Sequence, residues 1–157
     1  MTYPAEAART SLGIDYLEAP FMAVPGVRGD VVALRLTDKF LYSEERIPGY
    51  EFEILVAGQS AGTCTALIET DAEKLRAEGH VGAEIDRAFH GRDLPAKIVR
   101  AMVPVFQKHG MTSIMITCDE DSGAIHNACE QLHARYLDTI SVPESTKPKS
   151  RYMLSIA

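Results

Sequence analysis

The most regular pattern in the chain is an alternation in which Tyr50, Phe52, Ile54 and Val56 are apolar and Glu51 and Glu53 charged. A period of two marks a strand with one buried face. Residues 31–36 before it are rich in β-formers and read as the first strand proper, followed by a polar segment, LYSEERIPG, that Pro48 and Gly49 close. After it, a turn at 58–62 leads into a second β-like run, TCTALIE, which predicts a hairpin. Residues 71–78 form a charged connector with room for one or two helical turns. Residues 79–110 read as a strand, a short polar turn and an amphipathic helix; Pro104 inside that helix removes a backbone bond and predicts a bend.

Downstream, SIMITC at 113–118 is a short apolar run of the buried-strand type. From Ser122, the residues Ala124, Ile125, Ala128, Cys129 and Leu132 recur at helical spacing and predict a second amphipathic helix. Residues 136–142 suit a strand, ESTKPKS a loop and 151–156 a last strand. The order is that of an α/β domain, a mixed sheet with helices on its faces. It occupies residues 31–157. Residues 1–30, with Pro4, Pro20, Pro25, Gly13, Gly26 and Gly29, read as an N-terminal arm. Its Tyr16, Leu17, Phe21 and Met22 would cover either an edge of the chain's own core or a partner, in a homodimer or a complex with another protein.

Composition adds limits. A 157-residue chain with 46% hydrophobic and 24% charged residues suits one globular domain. Its net charge of −6 argues against a nucleic-acid or membrane-surface partner. Cys64, Cys118 and Cys129 show neither disulfide-framework nor zinc-ribbon spacing and read as reduced thiols. The first thirty residues lack the basic start and apolar core of a secretory leader, and no apolar run approaches a membrane span. The expected location is the cytoplasm.

Against this acidic background the stretch 79–110 carries Arg87, Arg92, Lys97, Arg100 and Lys108 and only Glu84, Asp86 and Asp93. A strand leading into a helix leaves unpaired N–H groups at the positive end of the helix dipole, an anion site in outline. Within the turn, Asp93-Leu94-Pro95 also fits a plain helix start, with Asp as cap and Pro in the first turn.

Three pieces, GHVGAEID, HGRDLPAKIVRAMVPVFQKHGM and SIMITCDEDSGAIHNACEQLHARYL, occur in an order that resembles the GNAT superfamily of CoA-dependent N-acetyltransferases. The resemblance covers residues 31 to the C-terminus. It implies a mixed, mostly antiparallel central sheet with helices on both faces, and acyl transfer from acetyl-CoA or another acyl-CoA to a small-molecule or peptide amine. It also implies that the cofactor is held by Ile85, His90, Gly91, Arg92, Asp93, Leu94, Lys97 and Ser122. The family's turn reads Arg or Gln, two residues, Gly, one residue, then Gly or Ala, and its backbone N–H groups clasp the pyrophosphate. Here His90 stands at the first place, Asp93 at the Gly and Pro95 at the last. Ser122 and Ile125 replace an Asn and a Ser, and Cys129 takes the place of a Tyr that often acts as general acid.

Glu84 is the first candidate for the base that deprotonates the acceptor ammonium, and Cys129 for the acid that protonates the leaving thiolate. Each has a plainer reading, Glu84 as a solvated strand residue and Cys129 as a small buried hydrophobe. His80 and His90 are weaker candidates for the base. A metal site on His126, Cys129 and His133 fails, because the two histidines are separated by ~10 Å of helical rise. The competing reading is a GNAT-like domain that has lost acyl-CoA binding and serves as a binding or assembly module.

Overall fold

The structure, a computed structural model, describes Phe21, Val27–Arg28 and residues 31–157; the rest of the expected N-terminal arm lies outside the described residues. Five antiparallel strands form a meander in chain order: β1 (Val27–Arg28), β2 (Val32–Tyr42), β3 (Ile47–Val56), β4 (Gln59–Leu67) and β5 (Val81–Ile85). The chain then crosses through α1 (Leu94–Lys108) to β6 (Ser113–Asp119), continues through α2 (Gly123–Gln131) and ends with β7 (Arg135–Ile140) and β8 (Lys149–Ser155). The last three strands make a second antiparallel sheet in the order β6, β8, β7. The expected mixed, mostly antiparallel α/β architecture is thus present, with the sheet in two hydrogen-bonded sections.

The alternation that opens the sequence sets the core. Tyr50, Phe52 and Ile54 of β3 are fully buried on one face, against α1 residues Ile98, Met102, Val105 and Phe106. Burying each such side chain stabilises the fold by roughly 1.5–3 kcal/mol. Phe21 joins this core and meets Tyr50 edge-on, with ring centroids 5.1 Å apart.

The segment read as a polar connector is strand instead. β2 runs to Tyr42, only a short turn separates it from β3, and Leu41 pairs with Pro48. A bulge between Leu36 and Asp38 explains the error, because one extra residue exchanges the two faces of β2. Beyond it Phe40 points away from the main core and packs with Ile47, Leu67 and Leu75 as a second cluster. Gly49 permits this, since a Cβ there would lie 2.5 Å from the Phe40 ring. Leu75 comes from a 3-10 turn, Ala72–Leu75, whose Asp71 side chain accepts from the Glu73 N–H. Helical material therefore covers both faces of the five-stranded sheet, α1 on one side and this short turn on the other.

The turn between β3 and β4 is tighter than expected, with Ala57 and Gly58 both left-handed and β4 starting at Gln59. Gly62 has φ +137°, and a Cβ there would sit 2.0 Å from the Glu84 carbonyl oxygen, so only glycine allows β5 this close to β4. Helix α1 continues through the exposed Pro104.

Candidate active site

A cavity of about 660 Å³ opens where the C-terminal end of β5 and the start of α1 face α2. Two strand-to-helix turns wall it. On the first, Arg87–Phe89 make a single 3-10 turn, the His90 Nε2–H donates to the Ile85 carbonyl at 2.8 Å, and Gly91 has φ +79°. Asp93, at the cap position of α1, is also left-handed, with φ 54° and ψ 34°. Its carboxylate is exposed and makes no capping hydrogen bond. The capping half of the helix-start reading therefore does not hold, while Pro95 does sit in the first turn. The backbone at Asp93 keeps a conformation that favours glycine although the residue is not one, at a cost of roughly 1 kcal/mol that Asp bears better than most residues.

No side chain caps the first turn of α1 at Asp93, so its N–H groups lie beside the cavity at the positive end of the dipole. Arg92 adds a full charge at the same place, its guanidinium held 4.9 Å above the Phe89 ring. The rest of the lining is small and largely apolar: Ala83, Ile85, Leu94, Ala96, Ala124, Ile125 and Ala128. Such a channel, with a cationic end and a largely apolar stem, suits an anionic group carried on an uncharged arm.

The second turn is held differently. The Glu120 N–H donates to the Pro148 carbonyl, and Asp119 pairs with Lys149, which holds its carboxyl below the usual carboxylate range mainly by hydrogen bonding. His126, on the side of α2 away from the cavity, donates from Nε2 to the Glu120 carbonyl at 2.8 Å and accepts at Nδ1 from the Tyr152 hydroxyl at 2.6 Å. The tautomer is set by the carbonyl, which can only accept.

Of the residues chosen from sequence, Ile85, His90, Gly91, Arg92, Asp93, Leu94 and Ser122 come together on the cavity wall. Lys97 lies one turn further along α1 and is not part of the lining. Glu84 alternates with Ala83 and Ile85 and so occupies the other face of β5, in a cross-strand row with Thr63, Glu53 and Arg35. Cys129 is fully buried behind α2, outside the lining. Burial, with a smaller effect from Cys118, pushes its thiol up to about 12. Such a thiol holds its proton more tightly than the reference thiol near 8.5, which weighs against donation to a departing thiolate.

Sequence reasoning missed Asn127, Ala128 and Gln131 on the cavity side of α2. The signal was present. With Ala124 they follow one side of α2, and Ile125 is shared between the cavity and the core that Cys129 and Leu132 join.

Among solved structures, the chain resembles RimL, a ribosomal L7/L12 alpha-N-protein acetyltransferase, in complex with coenzyme A. The TM-score is 0.63 over 83% of this chain and 97% of that one, at 13% identity. It also resembles a probable acetyltransferase of the GNAT family from Chromobacterium violaceum, with TM-score 0.61, 11% identity and 87% and 88% of the two chains covered. A third is the microcin self-immunity acetyltransferase MccE in complex with acetyl-CoA and AMP, with TM-score 0.55, 10% identity and 68% and 61% covered. No family model and no curated protein matches the sequence. The fold is that of the GNAT acetyltransferases.

Proposed function

We propose that this protein is an N-acyltransferase that moves an acetyl or similar acyl group from acyl-CoA to an amine. The observation that carries the reading is the cavity at the uncapped start of α1, with Arg92 at its charged end and an apolar stem between β5 and α2. The backbone around Gly91 and the first turn of α1 would bind the pyrophosphate, with Arg92 and Lys97 supplying charge. Ile85, Leu94 and Ser122 would line the path of the pantetheine arm, and His90 would hold the turn through Ile85.

The reaction needs no covalent enzyme intermediate. A neutral amine attacks the thioester carbonyl, the C–N bond forms, the C–S bond breaks, and the departing thiolate takes a proton. Glu84 is the group assigned to remove the ammonium proton, and from the other face of β5 it would do so through water. Cys129 is the thiol to be tested as donor; its burial favours protonation of the thiolate by solvent. The acceptor is a small-molecule or peptide amine, and the protein works in the cytoplasm. Among the described residues no helix is long and apolar enough to cross a membrane.

The competing reading, a binding or assembly module without acyl-CoA chemistry, is favoured by two details at the phosphate end. The Asp93 carboxylate is exposed there, and Pro95 lacks an N–H to donate. Calorimetric titration with acetyl-CoA separates the two. Saturable heat together with amine-dependent release of free thiol supports the transferase, and no heat at millimolar acetyl-CoA overturns it.

A further inference from the structure

His80, just before β5, bridges the two sheets. His80 is 2% exposed, and each of its four polar atoms makes a hydrogen bond. Its amide N–H donates to the Met115 carbonyl and its own carbonyl accepts from the Leu67 N–H, both at 2.8 Å. Its ring Nδ1 accepts from the Met115 N–H at 2.8 Å, and its Nε2–H donates to the Glu69 carbonyl at 2.7 Å. One half of this rung is therefore a backbone bond, and in the other a side chain takes the Met115 N–H that a backbone carbonyl would otherwise accept. A ladder closed by a side chain does not propagate. Past His80 the strands belong to separate sheets, and β5 goes on to place Ala83 and Ile85 on the cavity wall. Gly79 makes the close approach possible, since a Cβ there would lie 2.8 Å from the Met115 carbonyl oxygen.

We propose that His80 is the positioning residue that fixes where β5 and β6 part, and hence the gap beside the cavity, and that it does so only as the neutral Nε2–H tautomer. The catalytic meaning of the gap rests on the acyl-transfer reading; the hinge itself does not. The Met115 N–H can only donate, so a proton on Nδ1 would set two donors against each other and break the rung. The surroundings oppose that proton. Burial holds His80 below the usual histidine value, against weaker opposite pulls from Glu69 and from the Met115 backbone. The Glu69 carboxylate is itself 3.8 Å from the Lys74 ammonium. Helix α1 presents the uncharged Phe106 ring, 6.1 Å away and edge-on, and β6 presents Met115.

The test is amide exchange at Met115 in the full chain from pH 8 down through the titration of the His80 ring, corrected for intrinsic rate, alongside the 15N shifts of that ring and the Kd for acetyl-CoA. In the wild type the ring should be the neutral Nε2–H form at pH 7.5. Met115 protection should fall at least tenfold as the ring titrates, while Ile54 in the middle of the meander keeps its protection, and Kd should rise in step. His80→Asn keeps an acceptor at the place of Nδ1 and should preserve Met115 protection with no step in acid; His80→Leu should lose it at every pH. A cationic ring at pH 7.5, a Met115 amide indifferent to ring titration, or the same acid step in His80→Asn would each overturn the proposal. If His80→Leu does not fold, the wild type and His80→Asn decide. A wild type that binds no acetyl-CoA but shows the Met115 step removes the acyl-transfer reading and leaves the hinge standing.

Discussion

The two turns that wall the cavity hold equivalent places, each leading from a strand into a helix, yet they are stabilised in opposite ways. The β6–α2 turn is tied from outside: Lys149 to Asp119, Pro148 to Glu120, and His126 to both Glu120 and Tyr152. The β5–α1 turn is tied mainly within its own loop, through His90 to Ile85 and the 3-10 turn bonds. Its Gly91 and Asp93 are left-handed and exposed, while neither helix start, at Asp93 or at Ser122, has a side-chain cap. Backbone strain at an exposed turn is what a ligand-binding turn shows, whereas a turn tied to neighbouring strands serves as a fixed wall. The molecule sets a rigid surface opposite a receptive one.

The largest way to break that contrast is to fill the space between the walls. Ala124→Trp, at an exposed position on the fixed wall, should weaken acetyl-CoA binding about a hundredfold or more, close to 3 kcal/mol, with little change in melting temperature. Calorimetric titration beside a thermal melt checks both halves. Next, His126→Ala removes two of the ties of that wall and should lower stability by about 1–2 kcal/mol, read by urea unfolding. The matching change on the receptive wall, His90→Ala, should stay within ~0.5 kcal/mol because the side chain is exposed. Equal losses in the two variants would erase the distinction.

Asp93→Gly tests the receptive wall by itself. Glycine relieves a left-handed backbone and removes a negative charge, worth ~1 kcal/mol at about 4 Å in water, so acetyl-CoA should bind roughly fivefold more tightly. Unchanged or weaker binding would mean that the Asp93 carboxylate does not face the phosphates. Acid supplies the smallest effect. The Asp119 carboxyl is held below its usual value in the folded state, so the Lys149 pair stabilises the fold fully above about pH 4 and is lost as pH falls through the folded value. Lys149→Met should flatten that acid limb of the unfolding curve and leave the neutral range almost untouched.

What could be read from the chain follows the same division. Core periodicity was plain in Tyr50, Phe52 and Ile54 and in α1, because burial on one face imposes a fixed spacing. The fold was legible at that level, and the receptive turn was legible from its charge and its position before a helix. The bulge after Leu36 was not, since one inserted residue leaves local composition unchanged while exchanging the faces of β2. Pro48 and Gly49 read as punctuation because their role depends on Phe40, a partner on another strand. His126 and His80 escaped for a related reason. Each acts through groups distant in sequence, His80 through the Glu69 and Met115 backbone and His126 through the Tyr152 hydroxyl, and a histidine's partners leave no periodic trace. The sequence draws attention to Asp93, but the left-handed turn of its backbone leaves no trace in residue type.

The route by which β2 to β5 lie side by side in chain order bears on how the protein is made. Each strand pairs with its predecessor, so the meander can zip up through short loop closures, whereas the rung from His80 to Met115 must wait for α1 to cross over. Substitutions in the β3–β4 hairpin are expected to slow refolding, and those at His80 or Met115 chiefly to speed unfolding. The site between the sheets would then be the last region to assemble and the first to open.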